Sequence, residues 1–226
     1  MKRIAVLAIA LAACADGSAG PLLTEVGSGR DSGGGISGDL RCTGTRSGTF
    51  DNVTVPVGAT CTLENSTVQG NLKALENSRL YVSNTRVHGN VQGDKASIVH
   101  VTGGRVDGNI QIVQGTSPGA LGVAITGGTV VTGGDIQIEK MVTGRILIED
   151  ARVDNGNIQV VENSTSGGLN IVRNRTGANM QVFKNVGAGA KTVRENTVAQ
   201  DLQCKENTSP FTGSPNTAGD KEDQCR

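Results

Sequence analysis

Aromatic side chains are nearly missing from this chain of 226 residues, which has no Trp, one Tyr and three Phe. Large rings therefore do not fill the interior, and platforms on which sugar rings can stack are scarce. Apolar residues at helical spacing are also missing from the body of the sequence, which argues against a helical bundle. The formal net charge is +0, so we predict no nucleic-acid partner.

Signatures of catalysis and of cofactor binding are missing as well. The His and Cys residues do not have the spacing of metal ligands, and the serines lie outside any G-x-S-x-G elbow. No glycine loop of the kind that binds phosphate leads into a helix. We therefore assign no catalytic residue and predict no metal and no cofactor.

The first residues are typical of an export signal. Residues 1–3 are basic, and the apolar run that follows, IAVLAIALAA, is too short to span a bilayer. The run ends in LAAC at 11–14, which resembles the lipobox of bacterial lipoproteins, whose cysteine becomes the lipidated N-terminal residue. We expect a signal peptide over 1–14, a lipid on Cys14 and a flexible Gly/Ser-rich tether over 15–38. An ordinary leader, cleaved at the A-x-A sequence Ala13 to Ala15, is the alternative.

Glycine is abundant, with 33 residues, and part of it belongs to a repeated phrase. GNIQI at 108–112 returns as GNIQV at 156–160, and alignment on this phrase gives steps of 19, 19, 26, 22, 22 and 22 residues. Such a period fits one coil of a parallel β-helix, which needs three short strands and their turns. We therefore predict an all-β fold, a single-stranded right-handed parallel β-helix (β-solenoid) of about 7–8 coils over 39–204. The repeats begin at the junction residues Asn71, Asn90, Asn109, Asp135, Asn157, Asn179 and Asp201.

The strand after each junction alternates apolar and polar residues, as a strand with one buried face requires. Its outward residue is usually glutamine, and amides stacked about 4.8 Å apart can hydrogen-bond as a ladder. We expect the junction Asn or Asp to adopt the left-handed conformation of a tight corner, and the Gly before it to relieve crowding. The expected structural ladder contains Gln92, Gln111, Gln137, Gln159, Gln181 and Gln203.

Two further columns follow from the same alignment. One strand should place six valines inward, and residues 127–135, which fall in or beside the longest step of the repeat, should form an enlarged turn or bulge. Five residues beyond the junctions the charges alternate in sign, which favours correct register because unlike charges attract modestly at strand spacing. The valines are Val68, Val87, Val106, Val130, Val153 and Val198, and the second column contains Glu76, Lys95, Gln114, Lys140, Glu162, Lys184 and Glu206.

The four cysteines after Cys14 are spaced by about one coil. Cys42 precedes Cys61 by 19 residues and Cys204 precedes Cys225 by 21, and positions one coil apart lie within reach of a disulfide. We predict the bridges Cys42–Cys61 and Cys204–Cys225, one at each end, with 205–226 as a cap that disfavours end-to-end association and leaves a monomer. Disulfides imply an oxidising compartment. We therefore expect an extracytoplasmic protein, either anchored to the membrane of the bacterial cell envelope by its N-terminal lipid or secreted.

The repeats over about 40–204 resemble right-handed parallel β-helix proteins, whose fold is shared with pectate lyases and polygalacturonases. More narrowly, GNIQIVQG with the terminal LQCKEN and KEDQC is similar to a group of uncharacterised secreted bacterial β-helix lipoproteins. The enzyme families use acidic clusters on neighbouring coils, with calcium or with a catalytic Arg. No coil here offers a dense Asp cluster on its outward face, so the resemblance implies no catalytic residue for this chain.

One outward cluster has the right residue types for a binding site. Because Val87 points inward, Arg86 and His88 should point outward, and Arg105 and Asp107 should lie beside them one coil later. His88 next to Asp107 has the form of a general base with its orienting carboxylate, and the arginines can bind an anionic sugar. A solvated ion-pair surface is the plainer interpretation. The same columns continue at Arg152 and Asp154.

These patterns favour a non-enzymatic β-solenoid anchored at the cell envelope, which serves as a structural or binding module. A glycan or an envelope protein is the expected kind of partner. The alternative is a polysaccharide lyase or hydrolase of the pectate-lyase-like class, and a third hypothesis is a self-assembling filament.

Overall fold

The computed structural model describes residues 38–226, which wind into a parallel β-solenoid of about eight turns. Each turn adds one short strand to each of three parallel sheets, so the predicted fold class is confirmed. Within the described range no residue is helical, and thus no helix there is long and apolar enough to cross a membrane. The predicted signal peptide, Cys14 and the tether up to residue 37 lie outside the described residues.

The strands, numbered β1–β27 along the chain, are short because the corners of each coil interrupt them. Sheet A contains β1 (Leu40–Arg41), β4 (Val53–Val55), β7 (Leu72–Ala74), β10 (Val91–Asp94), β13 (Ile110–Val113), β16 (Ile136–Glu139), β19 (Ile158–Val161), β22 (Met180–Phe183), β25 (Asp201–Lys205) and β27 (Asp220–Asp223). Sheet B contains β2 (Gly44–Arg46), β5 (Thr60–Glu64), β8 (Arg79–Ser83), β11 (Ile98–Thr102), β14 (Thr116–Thr126), β17 (Val142–Glu149), β20 (Ser164–Val172), β23 (Lys191–Arg194) and β26 (Phe211–Thr212). Sheet C contains β3 (Thr49–Phe50), β6 (Thr67–Val68), β9 (Arg86–Val87), β12 (Arg105–Val106), β15 (Val130–Val131), β18 (Arg152–Val153), β21 (Arg175–Thr176) and β24 (Thr197–Val198).

The core is the space that the three sheets enclose, and columns of aliphatic side chains fill it. In sheet A, Ile110 pairs with Ile136, which pairs with Ile158, and all three are fully buried. In sheet B, Leu80 and Val99 are neighbours in an equivalent column. Equivalent positions of successive coils therefore pack on each other, which is why the same aliphatic residue types recur at the repeat period.

The structure corrects the predicted valine column at one coil. Val131, not Val130, is the buried partner of Val106, while Val130 is only half-buried and pairs with Arg105. The corner between β14 and β15 is one residue longer than the corner between β11 and β12. This additional corner residue reverses the inward and outward positions, because the side-chain period of a strand is two.

The longest step of the repeat is accommodated mainly at a different corner from the one predicted. Ile110 and Val123 are much further apart in the sequence than their partners one coil earlier, Val91 and Val99. Most of the extra residues therefore precede Val123, where β14 has register shifts against β17. The predicted bulge at 127–135 contributes only the smaller part. This widening continues in the long strands β17 and β20.

The junction residues have a different role from the one predicted. None of them has positive φ, and the side chains of the first six instead accept hydrogen bonds from the backbone of the next coil. The Oδ1 of Asn90 accepts from the N–H of Asn109 at 2.8 Å, and the Oδ1 of Asn109 accepts from the N–H of Asp135 at 2.8 Å. The left-handed positions follow the strands of sheets A and B. After sheet A, Lys95 and Gln114 have φ values of 54° and 58°, and after sheet B, Asn65 and Asn84 have values of 48° and 46°.

The column of alternating charges occupies the left-handed corners after sheet A. In the first of them the left-handed residue is Asn77, with φ 57°, which directly follows Glu76 of the column. Lys140 and Glu162 are adjacent in the column, with 4.0 Å between Nζ and Oε2. Both side chains are about half exposed, so the attraction between them contributes little to stability.

The glycine before the first five junctions relieves crowding between coils, as predicted, whereas Ala178 and Gln200 precede the last two junctions. A Cβ on Gly89 would lie 2.5 Å from the carbonyl oxygen of Gly70, and one on Gly156 would lie 2.2 Å from the carbonyl oxygen of Gly134. Since backbone atoms cannot withdraw easily, side chains are excluded at these positions.

The C-terminal half contains two ladders of buried asparagine side chains, which we did not predict from the sequence. Asn185 Nδ2 donates to Val160 O at 2.9 Å and to Asn207 Oδ1 at 2.9 Å. Its Oδ1 accepts from both the N–H and the Nδ2 of Asn163, at 3.2 Å and 2.9 Å. Burial of these amides is tolerated because their hydrogen-bonding groups find partners. The second ladder, with the same pattern, contains Asn174, Asn196 and Asn216.

Both predicted disulfides are confirmed, and they join neighbouring coils near the two ends. The Cα atoms of Cys42 and Cys61 are 5.5 Å apart, and those of Cys204 and Cys225 are 5.4 Å apart. Such bonds are consistent with an extracytoplasmic location. The segment 205–226, expected to be a cap, extends the stack itself, since β26 pairs with β23 and β27 pairs with β25.

Lys191 is an exception to the aliphatic core. It occupies the inward column of sheet B between Leu169 and Phe211, and it is fully buried. Its Nζ donates to the carbonyl oxygens of Gly187 at 2.7 Å and Gly189 at 2.8 Å, which are neutral partners. Burial therefore lowers the pKa of Lys191 below its usual value.

Replacing Lys191 by Met should change how stability depends on alkaline pH. The folded protein holds the proton of Lys191 less tightly than the unfolded chain does, so the free energy of unfolding of the wild type should rise with pH between the lowered pKa and 10.5. Lys191→Met removes the ionisation and should lose this rise. Urea denaturation of both proteins between about pH 7 and about pH 10 measures the difference. If the free energy of unfolding depends on pH in the same way in both proteins, burial of the Lys191 ammonium does not destabilise the fold.

Candidate functional site

The outward surface of sheet C brings charged residues from successive coils together, and we call it the arginine face. β9 and β12 pair Arg86 with Arg105, so His88 and Asp107, which follow two residues later, lie side by side. Positions one coil apart meet there because the coils stack in register. The face comprises Arg86, His88, Arg105, Asp107, Thr132, Arg152, Asp154, Arg175, Gly177, Thr197 and Ala199.

Asp107 is the centre of the first cluster on this face. Its Oδ1 accepts hydrogen bonds from Arg105 Nε at 2.6 Å and from Thr132 Oγ1 at 3.1 Å. Its Oδ2 lies 3.1 Å from Arg86 Nη2 and 3.1 Å from His88 Nδ1. The hydrogen bond from Arg105, with smaller contributions from Arg86 and Thr132, outweighs partial burial and lowers the pKa of Asp107 to about 2.

The contact between His88 and Asp107 determines what the cluster can do chemically. A carboxylate beside Nδ1 orients the imidazole and leaves Nε2 as the nitrogen available for proton transfer. Arg86 and Arg105 place positive charge next to it. The cluster therefore combines parts of an acid–base pair with parts of an anion site, and its carboxylate is already shared among four donors.

Asp107→Asn should make stability less sensitive to acid. The pKa of Asp107 is depressed from 3.8 to about 2 in the folded protein, so its carboxylate stabilises the fold above pH 3.8. That contribution is lost as the pH falls through about 2. The difference in Tm between the wild type and Asp107→Asn should therefore be largest at neutral pH and disappear towards pH 2. A difference that stays constant across this range would contradict the assigned role.

The six predicted binding residues form two groups rather than one. Val130 lies between Arg105 and Arg152 in the stack, so those two arginines are not neighbours. Arg152 instead pairs with Asp154 of its own coil and lies beside Arg175 of the next. One cluster thus belongs to the coils of β9 and β12, and the other to the coils of β18 and β21.

A depression of about 220 Å³ lies beside the second cluster. Arg175 and Thr197 contribute to it but were not among the predicted residues. The signal for Arg175 is the repeat itself, because it occupies the position of Arg152 one coil later. The residues that line the depression include Arg152, Asp154, Arg175, Gly177, Thr197 and Ala199.

The predicted glutamine column lies on the outward surface of sheet A. Hydrogen bonds connect Gln111 to Gln137 at 3.2 Å, and they connect Gln159 to Gln181 and Gln181 to Gln203 at 3.0 Å and 3.1 Å. Gln92 is in register with Gln111 but is not bonded to it, and Gln137 donates to Asp135 at 3.4 Å. The column is therefore a ladder in segments.

His100 lies outside the arginine face and has a structural environment. Its Nε2 is 2.8 Å from the carbonyl oxygen of Leu121, and its ring meets that of Tyr81 edge to face, with 5.2 Å between the centroids. Burial lowers the pKa of His100, against the smaller opposite effect of the contact with Leu121. The neutral form is therefore favoured, as suits a packed strand residue.

Residues 38–226 contain no candidate site for a metal ion. No three or more His, Cys, Asp or Glu side chains of that range are grouped so that they could hold an ion. Cys14, the predicted lipidation site, lies outside it.

Comparison with protein-family models, with curated proteins and with solved structures finds no match to this chain. The stacked fold and the geometry of the arginine face are therefore the observations from which a function can be proposed.

Proposed function

We propose that this chain is a non-enzymatic β-solenoid held outside the bacterial cytoplasm, where it is a binding or structural module. The arginine face is the observation that supports this best, because it presents two clusters of arginines, each joined by the pairing of successive coils. Side chains that are already ordered in stacked columns lose little conformational freedom when a ligand binds, which favours affinity. A glycan with acidic groups, or an acidic surface of an envelope protein, is complementary to this face.

Two observations support the extracytoplasmic location and the anchor. The disulfides at both ends fit an oxidising compartment, and LAAC at 11–14 resembles a lipobox. The resemblance to secreted bacterial β-helix lipoproteins agrees with both. Cys14→Ser should move the protein from the membrane fraction to the soluble fraction of its cells. A variant that stays with the membrane would contradict the lipid anchor.

Binding by the arginine face can be tested on an array of neutral and acidic glycans. The triple variant Arg86→Gln, Arg105→Gln, Arg152→Gln should lose at least about tenfold in affinity for acidic glycans, because charged hydrogen bonds are removed. A matched control removes three exposed arginines from sheet B and should bind like the wild type. Equal losses in both variants would mean that net charge, not this face, determines binding. The control substitutions are Arg79→Gln, Arg145→Gln and Arg194→Gln.

The rival function is a polysaccharide lyase or hydrolase of the pectate-lyase-like class. It is favoured by the distance of 3.1 Å between His88 Nδ1 and Asp107 Oδ2, next to two arginines. A screen for polysaccharide cleavage with wild type and His88→Ala separates the two functions. Binding without products supports the module, whereas products that disappear in His88→Ala would replace it with catalysis.

A further inference from the structure

Arginine and aspartate are paired in the same way twice on the arginine face. In Arg105–Asp107 and in Arg152–Asp154, the Nε of the arginine donates to the Oδ1 of the aspartate two residues later. Alternation places both side chains on the outward surface, so each guanidinium has a carboxylate from its own strand. Arg175 occupies the next position in the arginine column, but no carboxylate of residues 38–226 pairs with it.

Glycine at position 177 is the reason for this difference. Gly177 stands two residues after Arg175, where the coils of Arg105 and Arg152 have aspartate. A Cβ on Gly177 would lie 1.8 Å from the backbone oxygen of Asp154, so the close approach of the two coils excludes any side chain. Ala199 follows in the same column and is small. Together these positions form the floor of the depression of about 220 Å³.

The depression has the chemistry to receive a carboxylate from outside the chain. The guanidinium of Arg175 is exposed, and its planar donors match a carboxylate in two parallel hydrogen bonds. On the opposite side, Asp154 Oδ1 is occupied by Arg152, while its Oδ2 accepts no hydrogen bond from any described residue. That oxygen is available to accept from a donor such as a hydroxyl group. The exposed hydroxyl of Thr197 adds a further polar contact.

We propose that Arg175 and Asp154 form a binding site for a sugar acid, whose carboxylate takes the place that aspartate holds beside the other arginines of the face. A hydroxyl of the same sugar donates to Asp154 Oδ2. Neither a simple carboxylate nor a neutral sugar satisfies both partners. This inference rests on the proposed binding function, for which it names the ligand class and the position.

The test uses the full chain with D-glucuronate as the probe, and acetate and D-glucose as the two partial ligands. Titrations followed by amide NMR should show shifts at Gly177, Thr197 and Ala199 with glucuronate. Acetate should bind more weakly, and glucose should cause no shift there. Arg175→Gln should weaken glucuronate binding about tenfold, since it removes a charged, two-point contact. Arg79→Gln, an exposed arginine of sheet B, is the control and should leave binding unchanged.

Three results would overturn the inference. Glucuronate binding that is equal in wild type and Arg175→Gln, or acetate that binds as tightly as glucuronate, would reject the site or its ligand class. Shifts confined to other residues would do the same. If acidic glycans on the array still bind the arginine face in that case, the proposed function stands and only this site fails. Absence of binding to glucuronate and to every glycan would reject both.

Discussion

Asn185→Ala is expected to lower the free energy of unfolding by about 4 kcal/mol, because it leaves buried polar groups without partners. The substitution removes the acceptor for the N–H and Nδ2 of Asn163 and the donor to Val160 O. Each buried group left without a partner costs about 1–3 kcal/mol. Asn207 loses a contact as well, so the cost spreads to the following coil. Urea denaturation with a constant m value measures the effect.

Asn179→Ala is the matched control for this prediction. Asn179 lies in the same coil and also belongs to a stack of amides, but its side chain is only partly buried. Its Oδ1 accepts from the N–H of Asp201 at 3.1 Å, and water can replace that contact. We expect a loss of about 1 kcal/mol. Similar losses in Asn179→Ala and Asn185→Ala would mean that burial is not the decisive factor.

Loss of the C-terminal disulfide is expected to cost about 3 kcal/mol, which is the loop-closure effect for a bridge of this span. The double variant Cys204→Ser, Cys225→Ser removes the covalent link, and the segment then depends on the pairing of β26 with β23 and of β27 with β25. Lys205 Nζ remains 3.0 Å from Glu222 Oε2, and this contact raises the pKa of Lys205. The side chains involved are partly exposed, so the contact does not replace the covalent bond. A lower Tm and faster amide exchange in β26 and β27 should result.

Removal of the N-terminal disulfide is the control, because it tests whether the loss of a bridge loosens only the end of the solenoid that it joins. Cys42→Ser with Cys61→Ser should cause a similar loss, since the spans are 19 and 21 residues. Faster exchange should then appear in β1 and β2 instead, because a stacked array opens from its ends. Exchange that increases evenly along the chain in either variant would contradict a clamp that acts locally. Light scattering of both variants also tests the filament hypothesis, since an opened end exposes unpaired strand edges.

The arginine face could be predicted only in part. The spacing of Arg86 and Arg105 places them on one outward column, and the structure has them in register. The same reasoning assigned Arg152 to that column without showing that Val130 interrupts it. The sequence shows a glycine two residues after Arg175, where the coils of Arg105 and Arg152 have aspartate, but it does not show that a side chain is excluded there. That exclusion follows from the approach of Gly177 to the preceding coil, a contact between residues that are distant in the sequence.

The sequence by itself determined the stacked fold, the alternation of inward and outward residues in sheet A and both disulfides. A period near one coil together with alternation of period two has few solutions other than a parallel solenoid. The tertiary structure alone decided which corner residues are left-handed, where the extra residues of the longest coil lie and which asparagines are buried. These features depend on hydrogen bonds and close contacts between neighbouring coils. The local sequence specifies where a strand forms, but contacts with the preceding and following coils determine which residues and conformations fit at a corner.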